Sequence, residues 1–229
     1  MFYVKRGEVP HKRHTQFRKG DGSLYAEELF GVEGFAGRSS LLYHHTPPTQ
    51  THQIDDPSSV RLEPADPEGG SPHRHHLVNT AQLAASGDGL SGRIPLFYNS
   101  DVTFGVVLPE GPMTDFYRNG VADEMYFVHS GSGTLETNFG PIPYGPGDYL
   151  VIPIGTTYRL VPDGGVAQRM LWLECPSEIE PPKRYRNEYG QLLEHSPYYH
   201  RDIRPPDEMP PVTDADGDHV ILVRSRDRI

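Results

Sequence analysis

The sequence has little that would cross a membrane or close a disulfide. Its single cysteine, Cys175, excludes an internal disulfide and fits a reducing compartment. No apolar run approaches the ~20 residues that a transmembrane helix needs. The basic segment 1–20 is not followed by the apolar stretch of a secretory signal. We therefore expect a cytoplasmic protein without a membrane partner.

Helix-forming segments are also scarce, because the chain is rich in helix breakers. It has 24 glycines and 23 prolines in 229 residues, which is about a fifth of the chain against a usual ~12%. This excludes helical bundles and coiled coils and predicts a helical share below about a sixth. One short helix is predicted at Ser23–Phe30, with Ser23 as the N-cap and Gly31 as the terminator.

Charge is unevenly distributed along the chain. The formal net charge is −10, whereas residues 1–20 hold six basic residues against Glu8 and carry +5, so the remainder carries −15. An acidic body disfavours nucleic acid as a partner. We expect the basic arm, residues 1–20, to lie on an acidic surface of its own protein or of a neighbouring subunit.

Three regions differ in composition: an irregular segment 1–93, a β-rich segment 94–175, and a proline-rich segment 176–229 that ends in a strand at His219–Arg224. Strands that recur every ~8–12 residues, separated by turn residues, are typical of a sandwich or barrel. The predicted strands of the middle region are Ile94–Tyr98, Val102–Leu108, Glu124–His129, Thr134–Phe139, Asp148–Ile152, Thr157–Val161 and Gln168–Glu174.

Spaced glycines in the β-rich region follow a known pattern. Gly111, Glu124 and Gly131 have the spacing of the first cupin motif, Gly-x5-His-x-His-x4-Glu-x6-Gly, and Tyr117 and Asn119 then occupy the two histidine positions. This resemblance implies an all-β fold: a cupin-like double-stranded β-helix, or jelly roll, with long irregular N-terminal and C-terminal segments.

The second cupin motif, Gly-x5-Pro-x-Gly-x2-His-x3-Asn, is matched by Gly147, Pro153 and Gly155. Its histidine position holds Tyr158, and its asparagine position holds Pro162. Both motifs therefore keep the turn residues and lack every imidazole.

A metal site at these positions would be weak. The ligand positions hold Tyr117, Asn119, Glu124 and Tyr158, whereas iron and zinc favour imidazole and thiolate ligands. We expect a metal-free cupin with no catalytic, cofactor-binding or metal-binding residue in this chain. The alternative metal site is the histidine cluster His73, His75 and His76. It follows a Pro/Gly-rich loop and has no nearby acidic partner, so a surface or intersubunit role is favoured.

A longer resemblance covers most of the chain. It is carried by Leu24–Gly31, Ser40–Tyr43 with the following Pro47–Pro48, Phe97–Gly111 and Tyr144–Pro153. These segments resemble the amino-terminal half of homogentisate 1,2-dioxygenase of the shorter bacterial type. The resemblance implies an oxidoreductase of tyrosine and phenylalanine catabolism, which opens the ring of homogentisate, a small aromatic acid, with O2 to give maleylacetoacetate. It also implies one Fe(II) held by two His and one Glu, and a homo-oligomer in which trimers pair into hexamers.

The family's iron ligands and catalytic histidine lie in its carboxy-terminal half, which this sequence does not reach. No family site residue can therefore be carried over, and the chain alone is expected to bind no iron and to be inactive. The missing C-terminal half is the expected partner, docking at the apolar edge Val220–Val223. The alternative is a stand-alone, metal-free cupin that binds a small molecule or acts as a regulatory module.

Overall fold

The computed structural model describes residues 4–7, 16–51, 53–54, 75, 77–210 and 217–225. The chain divides into a smaller unit that includes residues 16–51 and a larger unit that includes residues 77–210 and 219–225. Helix in the described ranges is limited to three 3₁₀ turns, Thr80–Gln82, Lys183–Tyr185 and His200–Asp202. Among these residues no helix is long and apolar enough to cross a membrane. The all-β prediction is confirmed.

The smaller unit contains an antiparallel hairpin of β1 (Ala26–Glu33) and β2 (Ala36–His44). The helix predicted at Ser23–Phe30 is therefore wrong. Leu29 pairs with Leu41 across the hairpin, and Gly34 supplies the turn with a φ of 61°. Strand pairing outweighs the weak local preference of Glu27 and Glu28 for a helix.

Among the described residues, the larger unit contains two five-stranded sheets. Their strands are β3 (Arg93–Tyr98), β4 (Thr103–Val107), β5 (Phe116–Asn119), β6 (Asp123–Ser130), β7 (Gly133–Thr137), β8 (Gly140–Tyr144), β9 (Tyr149–Ile152), β10 (Thr157–Pro162), β11 (Arg169–Cys175) and β12 (Ile221–Arg224).

Strand order identifies the architecture. One sheet has the order β12-β5-β10-β7-β8, and the other has the order β3-β4-β11-β6-β9. From β4 to β11 the chain passes between the sheets at every step except β7 to β8, so that most neighbours in each sheet are distant in sequence. This is the double Greek-key path of a jelly roll. The predicted jelly-roll fold is confirmed.

Each of the seven strands predicted between residues 94 and 175 overlaps an observed strand, and β12 overlaps the strand predicted at the chain's end. Two strands of the larger unit, β5 and β8, were not predicted. β5 is four residues long and half polar, and β8 contains two prolines, so neither carries an apolar alternation. β8 lies at a sheet edge, where missing N–H donors are tolerated. The boundaries proposed at residues 93 and 175 stay a prediction.

The core lies between the two sheets. Along β6, Glu124, Tyr126 and Val128 point inward and are fully buried, whereas Met125 and Phe127 point to the other face of the sheet. The buried apolar cluster consists of Leu90, Val107, Met113, Tyr117, Tyr126, Val128, Leu135, Tyr144, Leu150, Ile152, Tyr158, Leu160, Met170 and Trp172.

Candidate functional site

A charged group lies in the middle of this apolar interior. Arg93 opens β3 with its side chain directed between the sheets, and Glu124 faces it from β6. Both side chains are 0% exposed. Together with four aromatic residues they form what we call the barrel cluster: Arg93, Tyr117, Glu124, Tyr126, Tyr158 and Trp172.

The centre of the barrel cluster is a buried ion pair. Arg93 Nη1 donates a hydrogen bond to Glu124 Oε1 at 2.7 Å. Arg93 Nε donates to the carbonyl of Gly89 at 3.3 Å. Two buried charges are tolerated only when they are paired and their remaining hydrogen-bonding groups are satisfied, and this pair is satisfied largely by neighbouring phenols.

Two tyrosine hydroxyls complete the network. Arg93 Nη2 donates to the hydroxyls of Tyr126 and Tyr158, the latter at 2.8 Å. The Tyr158 hydroxyl in turn donates to Glu124 Oε2 at 2.5 Å. Because that bond uses the only hydroxyl hydrogen of Tyr158, Tyr126 is the donor in the 3.1 Å contact between the two hydroxyls.

Aromatic rings surround the guanidinium. Arg93 Cζ lies 4.6 Å from the ring centroid of Trp172, 5.2 Å from that of Tyr117 and 5.5 Å from that of Tyr126. These distances are within the range of cation–π attraction, which is strongest where water is excluded. The Tyr117 hydroxyl and Trp172 Nε1 have no hydrogen-bond partner among the described residues.

The protonation states of the barrel cluster follow from its burial. Burial alone lowers the pKa of Arg93, but the Glu124 carboxylate and the surrounding phenols more than offset this and leave the pKa above its ordinary value. Burial, followed by the nearby Glu124 carboxylate, raises the pKa of Tyr117 and of Tyr158. The cluster therefore holds one cation and neutral phenols across the physiological pH range.

Three of the four predicted ligand positions meet at this guanidinium. Glu124 and Tyr158 are hydrogen-bonded to Arg93, and the Tyr117 ring packs against it. Asn119, the fourth, turns away: its Nδ2 donates to Glu174 Oε2 at 3.1 Å, and its Oδ1 accepts from the backbone of Val121 and Ala122. Sequence reasoning missed Arg93, because one basic residue at the start of a strand gives no signal that it points inward.

The residues at these positions do not fit Fe(II). Both Glu124 oxygens already accept hydrogen bonds, one from Arg93 and one from Tyr158. The described ranges contain no group of three His, Cys, Asp or Glu side chains that could hold a metal. In the histidine cluster, His75 is exposed, and His73 and His76 lie outside the described residues.

A second polar group anchors β12 at the end of the barrel. Glu174 on β11 accepts from Asn119 and from Arg224 Nη1, and the Arg224 carbonyl accepts from the Gly120 amide at 3.0 Å. Burial raises the pKa of Glu174, with a smaller opposing effect from Arg224. β12 pairs in parallel with β5 along its full length.

The outer face of the sheet β3-β4-β11-β6-β9 has the opposite character. Two rows of cross-strand neighbours run over all five strands without a charged residue. One row is Ile94, Val106, Leu171, Phe127 and Tyr149, and the other is Phe97, Phe104, Leu173, Met125 and Val151. We call these ten residues the outer apolar face.

The outer apolar face is open at several points. Tyr149 is 62% exposed, Phe97 48%, Val151 45% and Leu171 36%. Scattered apolar residues are normal on a protein surface, but a contiguous apolar patch marks an interaction site.

Comparison with known proteins gives a strong similarity in sequence. No family model matches the chain. The chain is 42% identical over 228 residues to a protein of Saccharolobus solfataricus described as "Putative dioxygenase SSO1533". The alignment covers 98% of this chain and 56% of that relative. The chain therefore spans little more than half the length of this curated relative.

Similarity to solved structures is confined to part of the chain. A cupin-2 domain containing protein from Shewanella frigidimarina is 19% identical with a TM-score of 0.33, covering 36% of this chain and 78% of that one. A cupin protein from Bacteroides fragilis is 15% identical with a TM-score of 0.35, covering 46% and 92%. The jelly-roll assignment therefore rests on the strand order of this chain. In sequence, the chain is similar to a relative described as a dioxygenase.

Proposed function

We propose that this chain is the amino-terminal scaffold of a homogentisate 1,2-dioxygenase-like enzyme. In this proposal Fe(II), the aromatic acid and O2 are bound by residues other than the 229 of this chain. The sequence similarity to a relative described as a dioxygenase supports the reaction class, and the resemblance of the sequence to homogentisate 1,2-dioxygenase supplies the substrate. No step of ring cleavage is assigned to a residue of this chain.

The observation that carries the scaffold role is the barrel cluster. A jelly-roll barrel that binds a metal or a ligand in its interior needs an open position there. Here that interior holds Arg93, its carboxylate partner Glu124 and close-packed aromatic rings. An interior whose charged groups are paired with its own side chains supports the fold and leaves neither Arg93 nor Glu124 open to a ligand. It also weighs against the alternative of a stand-alone barrel that binds a small molecule.

The outer apolar face is the surface on which we propose the catalytic part of the protein packs. Its exposed side chains Tyr149, Phe97 and Val151 would be covered by a partner sheet or helix of similar apolar character. β12 offers a second contact, since Ile221 is 41% and Val223 46% exposed at the end of its sheet. Homo-oligomers of the assembled protein, with the basic arm across a subunit boundary, are part of the same proposal.

The proposal is tested by oxygen consumption with homogentisate, Fe(II) and ascorbate, together with the ultraviolet absorbance of maleylacetoacetate. The 229-residue chain should give no turnover. The same chain fused to the part of the Saccharolobus relative that the alignment leaves uncovered should give turnover. The control is a protein in which the uncovered part is present without the 229 residues.

Turnover by the 229-residue chain alone would overturn the division of roles. An inactive but well-folded fusion that binds iron and cleaves no homogentisate would overturn the substrate. Saturable binding of a small aromatic acid by the chain alone, with no activity in any fusion, would favour the small-molecule binding module.

A further inference from the structure

We infer that Arg93 serves as a built-in cation at the position where a jelly-roll barrel of this type would hold a metal, and that its removal uncovers a binding site for a guanidinium-type cation. This inference concerns the interior of the barrel alone and holds whatever reaction the whole protein catalyses. The evidence for it is the position of the Arg93 side chain, its hydrogen-bond partners and the aromatic rings around it.

The first step concerns position. The cupin motifs assign ligand roles to side chains on β5, β6 and β10, and in this chain Tyr117, Glu124 and Tyr158 stand there. All three contact the guanidinium of Arg93, which arrives from β3, a strand outside both motifs. A positive group thus stands at the point on which the ligand positions converge.

The second step concerns the hydrogen bonds that the guanidinium of Arg93 donates. Four separate acceptors take hydrogen bonds from Arg93: the Gly89 carbonyl, Glu124 Oε1 and the hydroxyls of Tyr126 and Tyr158. A guanidinium has five N–H groups in a planar fork, so this cage matches most of its donors. An ammonium or a spherical ion would not match the same arrangement.

The third step concerns exclusion of metal. A divalent ion at Glu124 would stand next to a guanidinium that already occupies Oε1 at 2.7 Å. The two positive charges would repel each other in a buried site of low dielectric constant. Tyrosine is a useful metal ligand as phenolate, and burial keeps the pKa of Tyr158 above its ordinary value. Arg93 and a metal are therefore mutually exclusive.

The consequence is a latent site. Shortening Arg93 to alanine leaves a buried carboxylate, two hydroxyls and the faces of Tyr117 and Trp172 around an arginine-shaped space. A carboxylate lined by aromatic rings is the arrangement that binds organic cations. Ethylguanidinium has the atoms that Arg93→Ala removes beyond Cβ, so it is the fitting ligand.

The experiment measures the thermal unfolding midpoint of Arg93→Ala against the concentration of ethylguanidinium chloride, with ethylammonium chloride as the matched control salt. At ten times its dissociation constant the ligand should raise the midpoint by about 3–6 °C. Ethylammonium should have no comparable effect, because it lacks the fork. The wild-type protein should show no increase with either salt.

A second variant separates a specific site from a general salt effect. In Arg93→Ala combined with Glu124→Gln, the carboxylate is gone, and ethylguanidinium should not stabilise. An equal rise of the midpoint in the single and double variants would overturn the inference, as would no rise in the single variant.

Folding failure is also informative. If Arg93→Ala is insoluble in buffer, refolding it with ethylguanidinium should recover soluble protein, whereas ethylammonium should not. Failure to refold with both salts, while the double variant folds, would overturn the latent site.

Discussion

The two faces of the sheet β3-β4-β11-β6-β9 depart from the usual distribution of polarity, because the buried charges stand among apolar side chains on the inner face and the outer face has two rows without charge. Its inner face carries Arg93, Glu124 and Glu174, all nearly or fully buried. Its outer face carries ten uncharged, mostly apolar residues, among them Tyr149 and Phe97, which are about half exposed. A sandwich sheet normally buries its apolar face and turns its polar face to water.

The two faces differ in whether their side chains already have partners in the structure. The charged groups of the inner face are all paired within the barrel: Arg93 with Glu124, and Glu174 with Asn119 and Arg224. The outer apolar face has no partner within the described ranges that would cover Tyr149 or Val151. The proposed function requires this combination: a barrel interior without an open binding site, and an outer face that can bind the catalytic part of the protein.

The largest expected effect comes from disrupting the Arg93–Glu124 ion pair on the inner face. Arg93→Met should lower the free energy of unfolding by about 3–5 kcal/mol, because it leaves the Glu124 carboxylate buried without a partner. Combining it with Glu124→Leu should recover much of that loss. Chemical denaturation of the two variants measures the loss and its recovery. Arg159→Met, which breaks a partly exposed pair with Glu136, is the control and should cost about 1 kcal/mol or less. A double variant as unstable as Arg93→Met would contradict this account of the pair.

The next effect comes from charging the outer face. Replacing Tyr149 and Val151 by lysine should leave the chain's own unfolding free energy within about 0.5 kcal/mol. Association with the catalytic part should weaken by about 2 kcal/mol or more, since the two side chains lie in the exposed part of the patch. Sedimentation of a mixture of the two parts, with Glu178→Lys as a charge-matched control, measures the difference. Unchanged association would show that this face is not part of the interface.

A sharper test of the inner face compares two tyrosines. Tyr158→Phe removes a hydrogen bond to the charged Glu124 and should destabilise by about 1.5–3 kcal/mol. Tyr117→Phe removes a hydroxyl that has no partner among the described residues, so its effect should be near zero or stabilising by up to about 1 kcal/mol. The comparison uses thermal and denaturant unfolding of both variants. Equal losses would show that the network does not discriminate between the two hydroxyls.

The smallest expected effect is on pH dependence. Burial raises the folded-state pKa of Glu174 above its ordinary value of 4.5, so the charged carboxylate costs stability above that pH. As the pH falls through the raised pKa, Glu174 takes up a proton and this cost disappears. Glu174→Gln should remove this acid-side gain from the curve of unfolding free energy against pH. An identical curve shape in the variant and the wild type would contradict the assigned shift.

Much of the jelly roll could be predicted from the sequence, because its longer strands alternate and its turns carry Gly131, Gly147 and Gly155 at positive φ. The hairpin β1–β2 could not, since its stability comes from a strand pairing that local propensity does not contain. β5 and β8 are strands only through their neighbours on β10 and β7.

The site was predicted in part. The cupin spacing picked out Tyr117, Glu124 and Tyr158 and showed that imidazoles were missing there. It could not show what replaced them, because Arg93 lies 31 residues before Glu124 and reaches it only once β3 and β6 stand in the same sheet. A sequence motif can show that the metal-binding histidines are missing. The arginine that takes the place of the metal can be recognised only from the three-dimensional structure.

The central claim, that a protein-borne cation takes the metal's place in this barrel, is tested most directly by metal analysis. The wild-type chain is loaded anaerobically with Fe(II), desalted, and assayed for iron by elemental analysis, beside Glu124→Gln and a variant with alanine at positions 73, 75 and 76. The account predicts no stoichiometric iron in the wild type. One iron per chain that is lost in Glu124→Gln would contradict it, and one lost only in the triple variant would instead assign a site to the histidine cluster.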